Sequence, residues 1–261
     1  MNSRALDYKN LLVEEDGAVL TLTLNRPESL NVLSSRLMSD LEDCINLIGL
    51  VDEIRCVILT GAGRGFCAGV DLKERVETGG MQPLFRHRYT VFNMLEDLGK
   101  PVIAAINGPC NGGGLELALC CDFRIASEEA NLGLGEVKLG VMPLAGGTVR
   151  LPRLIGPSRA KEFMYFGNRV NGKQAYQIGL VNKVVPAAEL MAEARKWALE
   201  LSERAPLSLK MIKTSVNQGQ DMSLMDALCY EARCGSELIL SSDFKEGILA
   251  FTEKRRPVFM G

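Results

Sequence analysis

The chain has 261 residues, 47% of them apolar and 24% charged, which suits a globular protein with a sizeable core. Thirty Lys and Arg against 32 Asp and Glu leave a formal net charge of −2, a balance that argues against a nucleic-acid-binding face as the main business of the protein. No apolar run approaches the ~20 residues that cross a bilayer, and the opening "MNSRALDYKNLLVEEDG" lacks the apolar core of a signal peptide. The eight cysteines include no CxxC pair and mostly sit in apolar stretches, so the expectation is a reduced, cytoplasmic protein without a disulfide framework.

In chain order, "AVLTLTL" (18–24) alternates leucine with threonine as a half-buried strand does, and Pro27 bars its continuation. Ser34 then opens a helix on which Leu37, Leu41, Cys44 and Ile48 share a face. "CVILT" (56–60), "PVIAAIN" (101–107) and "DFRIA" (122–126) read as strands, with a helix over 84–98 and the start of a buried helix at 115–121. Strands alternating with helices predict βαβ crossovers and a mostly parallel sheet. After Pro186 the segments near 187–204, 206–217, 223–240 and 244–254 all read as helices. The expected organisation is an α/β core over 1–190 carrying the site and a helical region over 191–261.

Three stretches carry candidate chemistry. "TGAGRGFCAGVDLKE" (60–74) turns sharply after a strand, where α/β sheets bind ligands, and Gly69 lets the backbone approach something closely. A dinucleotide loop needs a second strand ending in an acid ~20 residues on, and "GMQPLF" from position 80 is no strand. "NGPCNGGGLELALCCDF" (107–123) sets three glycines before a helix and a lone acid, Glu116, among apolar residues. A helix start offers unpaired N–H groups, which glycines leave open to a ligand oxygen; tight helix-on-strand packing explains the same glycines. "NLGLGEVKLGVMPLAGG" (131–147) places Glu136 in a similar glycine-rich apolar setting, and two such glutamates suggest a general acid and base. There is no GxSxG, HExxH or Walker-type phosphate loop, and the sole histidine, His87, carries no triad or metal signature.

Taken together, "FCAGVDLKE", "PVIAAINGPCNGGGLELALCCDFRIA", "LGLGEVKLGVMPLAGGTVRLPRLIG" and the closing "GILAFTEKRRPVF" resemble the crotonase, or enoyl-CoA hydratase/isomerase, superfamily over essentially the whole chain. The resemblance implies an α/β, crotonase-like ββα spiral core with a C-terminal helical trimerisation region. It implies an acyl-CoA thioester as substrate, with CoA as part of that substrate, no separate cofactor and no metal. Carried over by motif, the backbone N–H groups of Val70 and Gly113 form an oxyanion hole, worth about 3–4 kcal/mol per donor. Glu116 and Glu136 correspond to the two glutamates that hold and activate a water in the hydratases. Ala68, Gly69, Asp71 and Leu72, with Ser29 and Leu30, correspond to residues lining the CoA. Phe251 and Lys254 correspond to a C-terminal pair that contacts the CoA of a neighbouring subunit. Lys73 either faces the CoA phosphates or lies on the surface, and Glu28 stands where many relatives have lysine.

The stretch 74–89 lies where the family places its acyl pocket, with Met81, Leu84, Phe85 and Tyr89 as candidate lining. The activity implied is reversible hydration of a 2-enoyl-CoA to a 3-hydroxyacyl-CoA in a homotrimer or a hexamer of two trimers. The alternatives are a Δ3–Δ2 isomerase or a specialised dehydratase on the same scaffold. From another class come an RNA-binding member and a catalytically silent one; the charge balance speaks against the first and the presence of both glutamates against the second. No membrane and no nucleic-acid partner is expected.

Overall fold

The computed structural model describes residues 8–77 and 90–261. The expected acyl-pocket residues Met81, Leu84, Phe85 and Tyr89, together with His87, fall outside them. A six-stranded sheet runs β1 (Leu11–Asp16), β2 (Val19–Leu24), β3 (Cys56–Gly61), β4 (Val102–Ile106), β6 (Phe123–Ser127), β9 (Lys183–Val185), in that spatial order. Within this sheet only the β1–β2 pair is antiparallel, and the pairs from β2 through β3, β4 and β6 to β9 are parallel. A second sheet of three short strands joins β5 (Pro109–Asn111), β7 (Asn131–Gly133) and β8 (Arg169–Asn171). Strands therefore come in pairs, one per sheet: β4 passes into β5, β6 into β7, and β8 leads through a short helix to β9.

At the centre of the large sheet β3 and β4 are buried on both faces, as parallel strands require. Along β3, Val57 and Leu59 join the main core, while Cys56 and Ile58 point to the opposite face. The main core also takes Leu37, Leu41, Cys44 and Ile48 from α1 (Ser35–Gly49), which the Ser34 hydroxyl caps by accepting the Leu37 N–H at 3.3 Å. The opposite face is covered by Leu190, Ala194 and Ala198 of a helix spanning Leu190–Ser202. Small residues on that helix let it lie close against the β-branched side chains of the sheet.

The sequence pattern left β1, β9, the second sheet and the helices between 147 and 177 unread. β1 carries the run "LLVEED", whose acids mask its alternation because it is an edge strand with one face in water. The strands of the second sheet are three residues each, too short for any period to show.

Helices in order are α1, α2 (Leu72–Glu77), a helical segment at 90–96, α3 (Gly113–Leu119), α4 (Gly147–Ile155), α5 (Pro157–Phe166), α6 (Gly172–Gln177), α7 (Leu190–Ser202), α8 (Pro206–Gly219), α9 (Leu224–Ile239) and α10 (Ser242–Glu253). The last three form an arm with little core of its own: α8 buries no side chain and α9 only Cys234. Leu224, Leu240 and Phe251 are 76%, 80% and 87% exposed. The C-terminal strap is tied down, with the Met260 and Gly261 N–H groups bonding Asp243 at 2.8 and 3.1 Å and Arg55 donating to the carbonyls of Phe259 and Met260.

Candidate active site

The loop after β3 is fixed by backbone contacts on both sides. Cys67 donates to Pro109 O and accepts from Asn111 N–H, each at 3.0 Å, which docks the loop on β5. On its other side Ala68 donates to Leu30 O at 2.9 Å, Leu33 to Gly69 O at 2.8 Å and Asp71 to Leu33 O at 3.1 Å. The last two bonds form a parallel bridge between Leu33 and Val70. In such a bridge the flanking residues make the bonds, so the N–H of Val70 itself points to the opposite edge. Among the described residues it donates to no acceptor in the protein.

Gly113 opens α3, so its N–H belongs to the first turn, which has no intrahelical acceptor. The two loops meet backbone to backbone. Gly69, at φ +116°, has a backbone conformation that L side chains rarely adopt, and a Cβ there would press to 3.1 Å from Asn111 O and lie 3.8 Å from Gly113 N. Gly114 is tighter still, with its Cβ position 2.1 Å from Cys67 O. Glycines at 69 and 114 thus let the loop and the helix start lie in contact, and Val70 and Gly113 line one cavity of about 640 Å³.

Glu116 stands in the first turn of α3 and is 2% exposed. Its Oε1 accepts the N–H groups of Ala145 (2.7 Å) and Gly147 (2.9 Å), and a Cβ at Gly147 would come within 3.1 Å of that oxygen. Bonds of this kind repay the burial of a carboxylate. Glu136 opens a short 3-10 turn after β7, half-buried, with Oε1 3.2 Å from where a Cβ on Gly112 would lie. Gly112 has φ +53° and gives its N–H to Gly133 O at 2.8 Å. Both glutamates line the cavity that Val70 and Gly113 line. The wall thus combines the residues of two main-chain amides with two carboxyl groups, a set suited to polarising a carbonyl oxygen while moving protons beside it.

Of the residues expected to line CoA, Ala68, Gly69 and Leu72 lie on this cavity wall and Asp71, Ser29 and Leu30 do not. Asp71 pairs with Arg26 at 2.9 Å and accepts the Glu74 N–H at 3.2 Å, capping α2. Partial burial works to raise its pKa, and the Arg26 and Glu74 hydrogen bonds outweigh that, holding it below the usual carboxylate value. Ser29 Oγ is turned to Arg26 O at 3.1 Å, and Leu30 adopts a left-handed backbone. Phe251, Lys254 and Lys73 are exposed and lie off the cavity wall within the chain.

Sequence reasoning missed the Ala145 and Gly147 amides, which no side-chain type announces. It also missed Arg75, Lys138 and Arg169, basic residues on the cavity wall that read as surface charge in a linear sequence. Leu139, Val141, Met142 and Leu144 give that wall its apolar part. Among the described residues no group of three or more His, Cys, Asp or Glu is placed to hold a metal ion, and no helix is long and apolar enough to cross a membrane.

The family model for enoyl-CoA hydratase/isomerase matches residues 14–261. The chain belongs to this family. The relatives share it over nearly their full length. Crotonyl-CoA hydratase of Syntrophomonas wolfei is 37% identical over 256 residues, covering 97% of this chain and 98% of the relative. Short-chain-enoyl-CoA hydratase of Clostridium acetobutylicum is 39% identical over 257 residues, covering 96% and 97%. The crystal structure of enoyl-CoA hydratase from Bacillus anthracis superposes with a TM-score of 0.93 at 42% identity, over 97% of this chain and 100% of that one. The paired strands and helical arm described above are thus the crotonase fold of the enoyl-CoA hydratase/isomerase family.

Proposed function

We propose that this chain hydrates a 2-enoyl-CoA to a 3-hydroxyacyl-CoA, reversibly. The observation that carries the reading is that Val70, Gly113, Glu116 and Glu136 share one cavity, in a chain whose relatives include a crotonyl-CoA hydratase and a short-chain-enoyl-CoA hydratase. The thioester oxygen docks on the N–H groups of Val70 and Gly113, which makes Cβ electrophilic. A water held between the glutamates attacks Cβ and gives its proton to Glu116, while the electron pair of the double bond moves toward the thioester oxygen. Glu136 delivers a proton to Cα as the enolate collapses, and exchange with solvent resets both carboxyls. Stabilising the oxygen where charge develops, rather than in the ground state, is what lowers the barrier.

Ala68, Gly69 and Leu72 hold the thioester arm in this reading, and CoA enters only as part of the substrate. Contacts from Phe251 and Lys254 come from a neighbouring copy. The exposed apolar faces of α8, α9 and α10 support such an assembly, a homotrimer or a hexamer, because single copies rarely leave so many large apolar side chains in water. The balanced charge supports a small-molecule substrate over RNA.

Crotonyl-CoA is the first probe, followed by loss of the conjugated enoyl-thioester absorbance. Glu116→Gln and Glu136→Gln each lower kcat by about 10²- to 10⁴-fold, the usual contribution of a general acid or base. Wild-type protein that hydrates no short, long, branched or cyclic enoyl-CoA refutes the reading. Glu116→Gln protein that keeps full turnover on a 3-enoyl-CoA assigns the site to the isomerase instead.

A further inference from the structure

The two N–H groups that hold Glu116, at Ala145 and Gly147, flank the carbonyl of Ala145. That carbonyl accepts a hydrogen bond from Arg150 Nη1 at 3.2 Å. Arg150 stands in the first turn of α4, where its own N–H bonds Gly146 O at 2.7 Å. Its guanidinium folds back over Gly146 so closely that a Cβ there would lie 1.9 Å from Nη1. Gly146 has φ +109°, a backbone conformation that calls for glycine, and a Cβ there would displace the Arg150 guanidinium.

The other edge of the guanidinium is gripped by the helical segment 90–96. Arg150 Nε donates to Glu96 Oε1 at 2.8 Å, and Nη2 donates to Glu96 Oε2 and to Asn93 Oδ1, the latter at 2.9 Å. A two-point bond to a planar fork fixes orientation as well as distance. The side chains are only 15% and 32% exposed, so water weakens the pair less than it does one in open solvent. Neither residue lines the cavity of Glu116 and Glu136. Both line a separate cavity of about 440 Å³ at the C-terminal end of α3, with Leu119, Cys120 and Arg124. Arg150 thus stands off that cavity wall and touches the loop that holds Glu116.

We propose that Arg150, held by Glu96, is a positioning residue for Glu116. It sets the plane of the peptide between the two donors, and so aims both N–H groups at Oε1. The proposal rests on the hydratase reading above. Without the grip, residues 145–147 rotate, the carboxylate samples other rotamers, and turnover falls. Substrate binding, made by other residues, stays.

The experiment measures kcat, KM and thermal melting with crotonyl-CoA for wild type, Arg150→Gln, Arg150→Lys and Glu96→Gln, and for Glu116→Gln with and without Arg150→Gln. Arg150→Gln and Glu96→Gln lose about 10- to 100-fold in kcat, in line with the ~10²-fold cost of a 1 Å misplacement, while KM stays within about twofold. Arg150→Lys, which keeps the charge and a donor without the fork, falls between. On the Glu116→Gln background Arg150→Gln costs less than about twofold further, because residues acting as one unit are not additive. A kcat within twofold of wild type in both single variants, a loss confined to KM, or penalties that multiply in the double variant each overturn the proposal. If Arg150→Gln fails to fold, Glu96→Gln, which keeps an acceptor for the fork, carries the test. Wild type that does not hydrate crotonyl-CoA overturns the hydratase reading and this with it, whereas active wild type with unaffected variants overturns the positioning role alone.

Discussion

Replacing Gly114 by alanine tests whether contact between the loop and α3 sets the geometry of the two amides proposed as oxyanion donors, at Val70 and Gly113. The added Cβ would stand 2.1 Å from Cys67 O and 2.8 Å from both Cys67 C and Cβ, all rigid atoms close to the backbone. Carbon and oxygen repel strongly below about 3 Å, so the loop of Val70 and the helix start of Gly113 must part by about 1 Å. Overpacking of this kind costs roughly 1–3 kcal/mol of stability. The catalytic cost is larger. A displacement of that size is worth ~10²-fold in rate, and complete loss of one oxyanion donor costs about 10²- to 10³-fold.

Gly114→Ala is therefore expected to stay folded, melt a few degrees lower and lose at least about a hundredfold in kcat. Initial rates with crotonyl-CoA, read beside thermal melts, separate the two effects. Gly49→Ala is the control, since a Cβ there meets nothing within 4 Å, and its rate matches wild type. If Gly114→Ala keeps a third or more of wild-type kcat, the two amides do not depend on this contact and the reasoning fails.

Two further outcomes follow from charge and burial. The Arg255 guanidinium and the Val258 N–H hold Glu246 down at about pKa 2. A depressed carboxylate stabilises its contacts above the unfolded value near 4.5 and loses that contribution as pH falls toward about 2. Protection of the 255–261 amides, measured against the intrinsic exchange rate at each pH, should fall in that window while β2 to β4 keep theirs; unchanged protection at Val258 would contradict it. Of the eight cysteines only Cys229 is exposed, and burial pushes the Cys44, Cys56, Cys67 and Cys121 thiols up to about 12. A thiol reagent should modify no more than one cysteine per native chain and all eight after denaturation; rapid labelling of a second native thiol would show that the core breathes more than its packing implies.

Much of the sheet was legible because its central strands bury both faces and so appear as short apolar runs. The tail helices were legible too, since Pro206, Gly219 and Ser241 punctuate them. The glycine-rich loops and the two glutamates stood out for a related reason: small residues and lone acids in apolar surroundings break the local pattern. What stayed hidden depends on partners far apart in sequence. Ala145 and Gly147 act through main-chain N–H groups, and Arg150 meets Glu96 across 54 positions. An edge strand full of acids and a sheet of three-residue strands had no period to reveal them.

Asn31 shows how far one side chain reaches. Wholly buried at φ +57°, it donates through Nδ2 to Ala62 O (2.9 Å) and Gly65 O (2.8 Å), and its Oδ1 takes the Arg26 N–H (2.8 Å). Residues 26–31 and 62–65 are consequently a matched lock and key cut from distant parts of the chain. Anyone transplanting the β3 loop from a homologue to retune this enzyme has to bring the partner segment along, or the amide of Val70 will arrive at the wrong address.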